Sequence, residues 1–219
     1  MSTDTAKPRR KKSEGSPYHH GALHAALLAA AQDILESQGL AALTLRAAAR
    51  AAGVSHAAPK NHFGDLTGLL SELAAVGYRE FSEALRAAAA AAASGRPEQR
   101  FQAVGHAYVR FARERTAMFL LMFRGERLDM QRPQLREAVE EARAALAGET
   151  ATRIGRDTRQ PPNAAQVGRM VGAWSTVHGF AMLLIDGRLD TVLAGREGGP
   201  DWEALLAEVF NAPPARRPG

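Results

Sequence analysis

The chain has 219 residues, of which 46% are hydrophobic, and its formal net charge is +5. This length and apolar content suffice for one large domain or two small ones. The absence of cysteine excludes disulfides and thiolate metal sites. The charged N-terminus is followed by no apolar segment, and no apolar run reaches the ~20 residues of a membrane helix. We therefore expect a soluble, cytoplasmic protein without a membrane partner.

Positive charge is concentrated at the N-terminal end. Residues 1–63 hold 8 Lys and Arg against 4 Asp and Glu, while residues 64–219 hold 20 against 19. A basic first third suits a polyanionic partner such as nucleic acid. Five of the eight cations lie in the cluster KPRRKK at residues 7–12. This cluster is either an arm that reaches phosphates or the minor groove, or a solvated tail.

Helical patterns begin after a polar N-terminal segment. Residues 1–17 are charged and interrupted by proline, so we expect them to be disordered. From His20, apolar residues at three- and four-residue spacing predict a helix that ends at Gly39. Two short helices follow, and their predicted cap and stop residues are Thr44, Gly53, Ser55 and Phe63.

The rest of the chain continues the helical pattern. A long fourth helix is predicted to start at Asp65 or Thr67 and to end near Gly95. The predicted starts of the remaining helices are Pro97, Ala117, Pro133, Ala164 and Asp201. A loop at residues 156–163 interrupts them. No strand pattern and no internal repeat is visible, so the predicted fold class is all-α, with about nine helices.

Residues 44–63, with the sequence TLRAAARAAGVSHAAPKNHF, predict two short helices joined by a tight turn. Several alanines in this segment let the two helices cross closely. Gly53 supplies the left-handed backbone that a sharp turn needs, and Val54 fills the apolar space behind it. This layout is that of a helix-turn-helix, whose second helix enters the major groove of DNA.

Residues 20–80 resemble the tetracycline-repressor-type (TetR) family of transcription regulators. The matching positions are Gly39, Ala42-Leu43-Thr44-Leu45-Arg46, Ala48-Ala49, Ala52-Gly53-Val54-Ser55, His62-Phe63 and Leu69-Leu70. Residues 119–123 and 174–179 are similar to a branch with Trp-x-x-x-His-Gly in its C-terminal domain. The resemblance implies a DNA-binding domain joined to a helical effector-binding and dimerisation domain. The expected boundaries are 1–17 for the arm, 18–66 and 67–211 for the two domains, and 212–219 for a disordered tail.

The residues that we expect to face DNA, from the resemblance and from their chemistry, are Thr44, Arg46, Ser55, His56, Ala57, Ala58, Lys60, Asn61 and His62. Hydroxyl and cationic side chains suit phosphates, while amide and imidazole side chains suit base edges. His62 is either a phosphate contact or a packed structural histidine. Family members usually carry Tyr in place of Lys60, and many carry Lys in place of Leu66. These departures bear on affinity and operator detail rather than on fold.

An effector pocket is implied by the resemblance, and Met and aromatic side chains are suited to line it. The candidates are Tyr108, Phe111, Met118, Met122, Phe123, Trp174, His178 and Met182. At helical spacing the same residues also suit an ordinary core or a dimer seam. Tyr108 and His178 are the expected polar contacts, and Arg110 or Arg113 would pair with an acidic ligand. We expect a small apolar or aromatic effector.

A homodimer is predicted by the helix at residues 164–185, which is apolar on more than one face. Such a helix must be covered on several sides, and a two-fold partner supplies one of them. The last helix is the natural second contributor to a four-helix interface. The dimer would bind double-stranded operator DNA with an inverted repeat.

The sequence also bears on two other classes of function. The sequence shows no Gly-rich phosphate loop, nucleophile elbow or HExxH helix, so an enzyme is not expected. His20 and His24 have metal-pair spacing but no third ligand nearby, and we expect neither a metal nor a cofactor. A helical ligand-binding or interaction protein with weakened DNA binding remains the alternative to a regulator. From the family resemblance, we expect the bound dimer to repress transcription rather than to activate it.

Overall fold

A computed structural model describes residues 17–157, 159–194 and 201–211, and within these ranges it is all-helical, as predicted. The helices are α1 (Pro17–Gln38), α2 (Leu45–Ala51), α3 (Ala58–Phe63), α4 (Leu66–Ala91), α5 (Pro97–Glu114), α6 (Thr116–Met122), α7 (Pro133–Arg153), α8 (Ala164–Ile185), α9 (Asp190–Leu193) and α10 (Trp202–Asn211). The cluster at residues 7–12 and the tail at 212–219 lie outside the described residues. Short 3-10 turns occupy Leu40–Ala42 and Gly125–Arg127.

The described residues thus contain ten α-helices where nine were expected. The additional one, α9, is a single turn that follows the end of α8. Gly187, at φ 69°, ends α8 as predicted. The backbone N–H of Arg188 then donates to the carbonyl of Leu183 at 2.9 Å, which closes the helix end. A one-turn helix has no apolar periodicity, which is why the sequence pattern did not reveal it.

Helices α1, α2 and α3 form the first part of the fold around a small apolar core. Thr44 caps α2, accepting a hydrogen bond from the backbone N–H of Ala47 at 3.1 Å. At the other end, Gly53 has φ 67°, and the N–H of Val54 donates to the carbonyl of Ala49 at 3.0 Å. These bonds satisfy the last carbonyls of α2 and turn the chain sharply towards α3. Phe63, 1% exposed, anchors the end of α3 in the core.

The start of α3 differs from the prediction. Ser55 was expected to cap this helix, but α3 begins three residues later at Ala58, and its N-cap Ala57 makes no side-chain cap. Residues 55–57 form a turn in which the N–H of Ala58 donates to the carbonyl of Ser55 at 3.0 Å. Pro59 lies in the first turn of the helix, where the N–H that proline lacks would have no partner anyway.

Helix α4 runs from the first part of the fold into the second. Of the two predicted caps, Asp65 and Thr67, it is Asp65 that caps α4, accepting from the N–H of Gly68 at 2.8 Å. Most of its buried side chains face α5, α6 and α7. Helix α8 packs on α5 and α7, and α10 packs on α5. Among the described helices, none is both long and apolar enough to cross a membrane.

Candidate DNA-binding surface and effector cavity

The turn between α2 and α3, together with the outer faces of both helices, forms an exposed surface, called here the α2–α3 surface. Its exposed residues include most of those that the sequence analysis placed towards DNA: Thr44, Arg46, Ser55, His56, Ala57, Lys60 and Asn61. Two of them are not exposed: His62 is half-buried, and Ala58 is buried. Ala58, in the first turn of α3, is 8% exposed and belongs to the apolar core. We therefore remove Ala58 from the set.

The α2–α3 surface is electropositive. Residues 44–63 contain three cations, Arg46, Arg50 and Lys60, and no Asp or Glu. None of these three side chains takes part in an ion pair within the described residues. Arg50 was missed by the sequence analysis. It stands four residues after Arg46 in α2, and this spacing puts both side chains on one helix face.

His62 is half-buried at the end of α3, beside rings from α1 and α3. Its ring centre lies 5.9 Å from that of His24, in an edge-to-face arrangement. The His24 ring in turn lies 4.9 Å from that of Phe63. Contacts with neighbouring rings therefore bury part of the His62 side chain. The neighbouring departure from the family pattern, Leu66, is half-buried against the core, so it contributes to packing where a Lys would be solvated.

An apolar cavity of about 360 Å³ lies between α4, α5, α7 and α8. This volume is within the range of small-molecule sites in proteins. Tyr78 and Phe81 line it from α4, and Tyr108 lines it from α5. Phe123, which follows α6, closes one side. The α7 and α8 residues in its wall are Val139, Ala142, Arg143, Leu146, Ala147, Thr150, Val167, Met170, Val171 and Trp174.

Three of the eight predicted pocket residues line this cavity: Tyr108, Phe123 and Trp174. Phe111, Met118 and Met122 do not, because they are buried in the main core. His178 lies behind Tyr108, and Met182 packs against the core one turn further along α8. The wall contributed by α7 was missed. That helix is charged and alanine-rich, and only packing against α4 shows which of its small residues face the space.

The polar end of the cavity is a short hydrogen-bond chain. The indole N–H of Trp174 donates to the Tyr108 hydroxyl oxygen at 3.3 Å, and that oxygen is 2.9 Å from Nδ1 of His178. Burial raises the pKa of the Tyr108 phenol and lowers the pKa of the His178 imidazole. Both groups are therefore neutral near pH 7. The Tyr108 oxygen accepts from the indole N–H, and the Tyr108 proton can donate to Nδ1 when neutral His178 carries its proton on Nε2.

The second tyrosine of the cavity is also held in its neutral form. The Tyr78 hydroxyl donates to the backbone carbonyl of Met122 at 2.8 Å, and burial raises the pKa of Tyr78 to about 12. Arg143 is the one cation among the described residues of the wall, and Glu140 accepts two hydrogen bonds from its guanidinium. The expected acid-binding residues Arg110 and Arg113 do not line the cavity: Arg110 pairs with Glu203 at 2.9 Å, and Arg113 lies over Trp202.

Two faces of α8 leave large apolar side chains exposed. Val167, Val171 and Trp174, which also line the cavity, are 42%, 50% and 45% exposed, and Leu183, on the opposite side of the helix, is 43% exposed. Val209 of α10 is 38% exposed. As predicted, α8 carries apolar residues on several faces, and a single subunit covers only some of them. Large apolar side chains that a single subunit leaves exposed suit an interaction site.

Comparison with known proteins assigns the fold. The family profile described as tetracyclin repressor-like, C-terminal domain matches residues 101–209. A solved protein of unknown function from Rhodococcus sp. RHA1 is 33% identical, with a TM-score of 0.68, over 90% of this chain and 96% of that one. A TetR family transcription regulator from Shewanella sp. PV-4 is 18% identical, with a TM-score of 0.61, over 86% and 95%. A search of curated proteins finds no match.

A third structure, of RolR in complex with resorcinol, is 16% identical, with a TM-score of 0.57, over 90% of this chain and 97% of that one. The profile match and the 33% identical relative show that the chain belongs to the TetR family of transcription regulators, and the two more distant structures share its fold. The family assignment confirms the expectation of a regulator rather than an enzyme. The branch with Trp-x-x-x-His-Gly remains a prediction.

Proposed function

We propose that this chain represses transcription as a homodimer that binds operator DNA and is released from it by a small effector. The observation that supports this most directly is the α2–α3 surface. It exposes three cations from a segment without Asp or Glu, next to hydroxyl, amide and imidazole side chains. Such a surface matches a polyanion that also presents hydrogen-bonding base edges.

The residues of the α2–α3 surface divide into two roles. Arg46, Arg50 and Lys60 are exposed cations, and we assign them to phosphates, where they set affinity and salt dependence. His56 and Asn61 are exposed on the turn and on α3, and we assign them to base edges, where they set sequence preference. Thr44, Ser55 and Ala57 are small enough to let the backbone approach the duplex. We assign His62 to a phosphate contact.

A homodimer follows from the exposed apolar side chains of α8 and α10. Burying Leu183 and Val209 against a two-fold copy would remove their remaining exposed area from water. Because each is already partly buried, the gain is about half of the roughly 1.5–3 kcal/mol of a full burial. A two-fold dimer places its two α3 helices in successive major grooves, about 34–36 Å apart or a multiple of that. The expected operator is therefore an inverted repeat.

The proposed effector is a small, largely apolar or aromatic molecule that occupies the cavity. The cavity volume of about 360 Å³ is more than twice that of the ~150 Å³ engineered cavity that takes benzene. Aromatic walls from Phe81, Tyr108 and Trp174 suit a ligand of one or two rings. The complex of RolR with resorcinol, an aromatic diol, is a related example in a protein of the same fold.

Fluorescence anisotropy tests this function. Labelled DNA from the region upstream of the gene is titrated with the purified protein, and a library of aromatic compounds is then added to the complex. We expect saturable binding that competitor DNA of random sequence does not displace, and release by at least one compound. The alternative is a ligand-binding protein with weakened DNA binding, which is favoured by Lys60 and Leu66 where the family usually has Tyr and Lys. A protein that compounds stabilise but that does not bind DNA would support this alternative.

A further inference from the structure

We propose that Arg132 is a positioning residue that couples the effector cavity to the DNA-reading helix α3. This inference rests on the proposed function, since it assigns a route between the two sites. Arg132 is the N-cap residue of α7, the helix that forms one wall of the cavity. Its guanidinium nevertheless contacts the last residue of α3, 69 positions earlier in the chain.

The contact is made by two nitrogens of one guanidinium. Nη2 of Arg132 donates to the backbone carbonyl of Phe63 at 2.7 Å, and Nη1 donates to Oε1 of Glu72 at 3.0 Å. The other Glu72 oxygen lies 2.6 Å from Nε2 of His24 in α1. A carbonyl at a helix C-terminus carries partial negative charge, which a cation stabilises. Arg132 thus joins α1, the end of α3, α4 and the start of α7.

The space for this contact is left by a glycine. A Cβ on Gly68, in the first turn of α4, would lie 2.0 Å from the Phe63 carbonyl oxygen and 2.3 Å from Nη2 of Arg132. Any larger residue at this position would have to displace the Arg132 side chain. The segment before α7 is held on the same face of α4 by a further bond, from the N–H of Asp129 to the Ser71 hydroxyl at 2.8 Å.

The other end of the route is the cavity wall. Val139, Ala142 and Leu146 of α7 line the cavity at positions about two to four turns beyond Arg132. A helix transmits a displacement along its axis because its backbone is hydrogen-bonded throughout. An occupant that pushes on α7 therefore shifts Arg132 relative to Phe63. The planar fork of Arg makes the two bonds from two separate nitrogens, whereas a Lys ammonium at this position has all its donors on one nitrogen and would not reproduce this geometry.

The test uses Arg132→Met in the full-length protein, with Arg132→Lys as a milder second variant. The matched control is Arg86→Met. Arg86, in α4, has an exposed guanidinium that pairs with Glu141 of α7 at 3.4 Å and does not contact α3. Cavity occupancy is imitated by Ala147→Phe, which places a ring in the cavity from α7 itself. Circular dichroism and thermal melts of all variants show whether they are folded.

The first readout is amide hydrogen exchange at Gly64 and Asn61, which needs no DNA. The Gly64 N–H donates to the Lys60 carbonyl at 2.9 Å and so reports on the end of α3. Without Arg132 this end should open more readily, and we expect exchange about ten-fold faster in Arg132→Met, less in Arg132→Lys, and unchanged in Arg86→Met. Equal protection in all three variants would overturn the proposal.

The second readout is affinity for DNA selected by the wild-type protein, in a double-mutant cycle. Arg132→Met should weaken binding by about ten-fold, and Ala147→Phe should weaken it in the wild-type background but not in Arg132→Met. The same loss from Ala147→Phe in both backgrounds, or no loss from Ala147→Phe at all, would contradict the coupling. If the wild-type protein selects no DNA, the proposed function fails, while the exchange result still judges whether Arg132 holds α3.

Discussion

The hydroxyl of Tyr108, in α5, lies 2.9 Å from Nδ1 of His178, in α8, at the edge of the apolar cavity. The two residues are 70 positions apart, and Tyr108 is fully buried. Because the indole N–H of Trp174 donates to the same hydroxyl, the polar atoms at this end of the cavity satisfy one another. An effector can therefore be largely apolar without leaving buried polar groups unpaired.

Replacing Tyr108 with Phe should lower the free energy of unfolding by about 1–2 kcal/mol, because the Trp174 N–H and His178 Nδ1 lose their shared partner. Chemical denaturation measures this change. The same substitution in a His178→Phe background should cost less, since one of the two partners is already gone. Equal losses in both backgrounds would mean that Tyr108 acts through packing alone.

Stability should fall as the pH is lowered through the ordinary titration range of histidine. Burial lowers the pKa of His178 from its ordinary value of 6.5, so below that pH the unfolded chain takes up a proton that the folded chain does not. The free energy of unfolding should therefore decrease between about pH 7 and pH 5. In His178→Gln this decrease should be smaller. A His178→Gln curve parallel to that of the wild type would exclude His178 as the source.

Replacing Leu183 with Glu should weaken the dimer, because the charge would have to be buried in the α8 interface. Leu183 is 43% exposed in the single subunit and does not line the cavity, so the fold and the ligand site should be preserved. Light scattering should give a dimer mass for the wild type at micromolar concentration and a monomer mass for the variant. Wild-type protein that is monomeric at this concentration would contradict the dimer.

Lys60 and Asn61 should affect DNA binding in different ways. Lys60→Ala should weaken binding to all sequences alike and reduce the salt slope by about one unit per half-site, as expected for a phosphate contact. Asn61→Ala should instead cost about 1–3 kcal/mol at particular base pairs. Arg86→Ala is a suitable control, since it lies about 30 Å along α4 from the α2–α3 surface. A changed base preference with an unchanged slope would place Lys60 on a base.

Local signals predicted most of the helix boundaries. Thr44 and Asp65 cap the helices that they were expected to cap, and Gly53 and Gly187 adopt positive φ where turns were predicted. These features depend on a few neighbouring residues, which a sequence displays directly. Ser55 shows the limit of such signals. Its hydroxyl suits a cap, but the turn at residues 55–57 delays α3 until Ala58.

The cavity and the Arg132 contact depend on packing between distant segments. Met118 and Met122 had the chemistry of pocket residues, yet the crossing of α4 and α6 buries them in the core. The α7 wall and the bond from Arg132 to the Phe63 carbonyl join residues that are far apart in the chain. Apolar periodicity shows which face of a helix is buried, but not whether that face meets a neighbour or a space.

Selection of binding sites from random double-stranded DNA tests the central claim most directly. The purified protein is incubated with a randomised library, and the bound fraction is amplified and sequenced over several rounds. The account predicts an inverted repeat whose half-sites are about 10–10.5 base pairs apart, centre to centre, or a multiple of that distance. The Arg46→Ala variant should recover the same motif with lower affinity. Bound DNA that shows no enriched motif, or an enriched motif without two-fold symmetry, would contradict a dimeric operator-binding regulator.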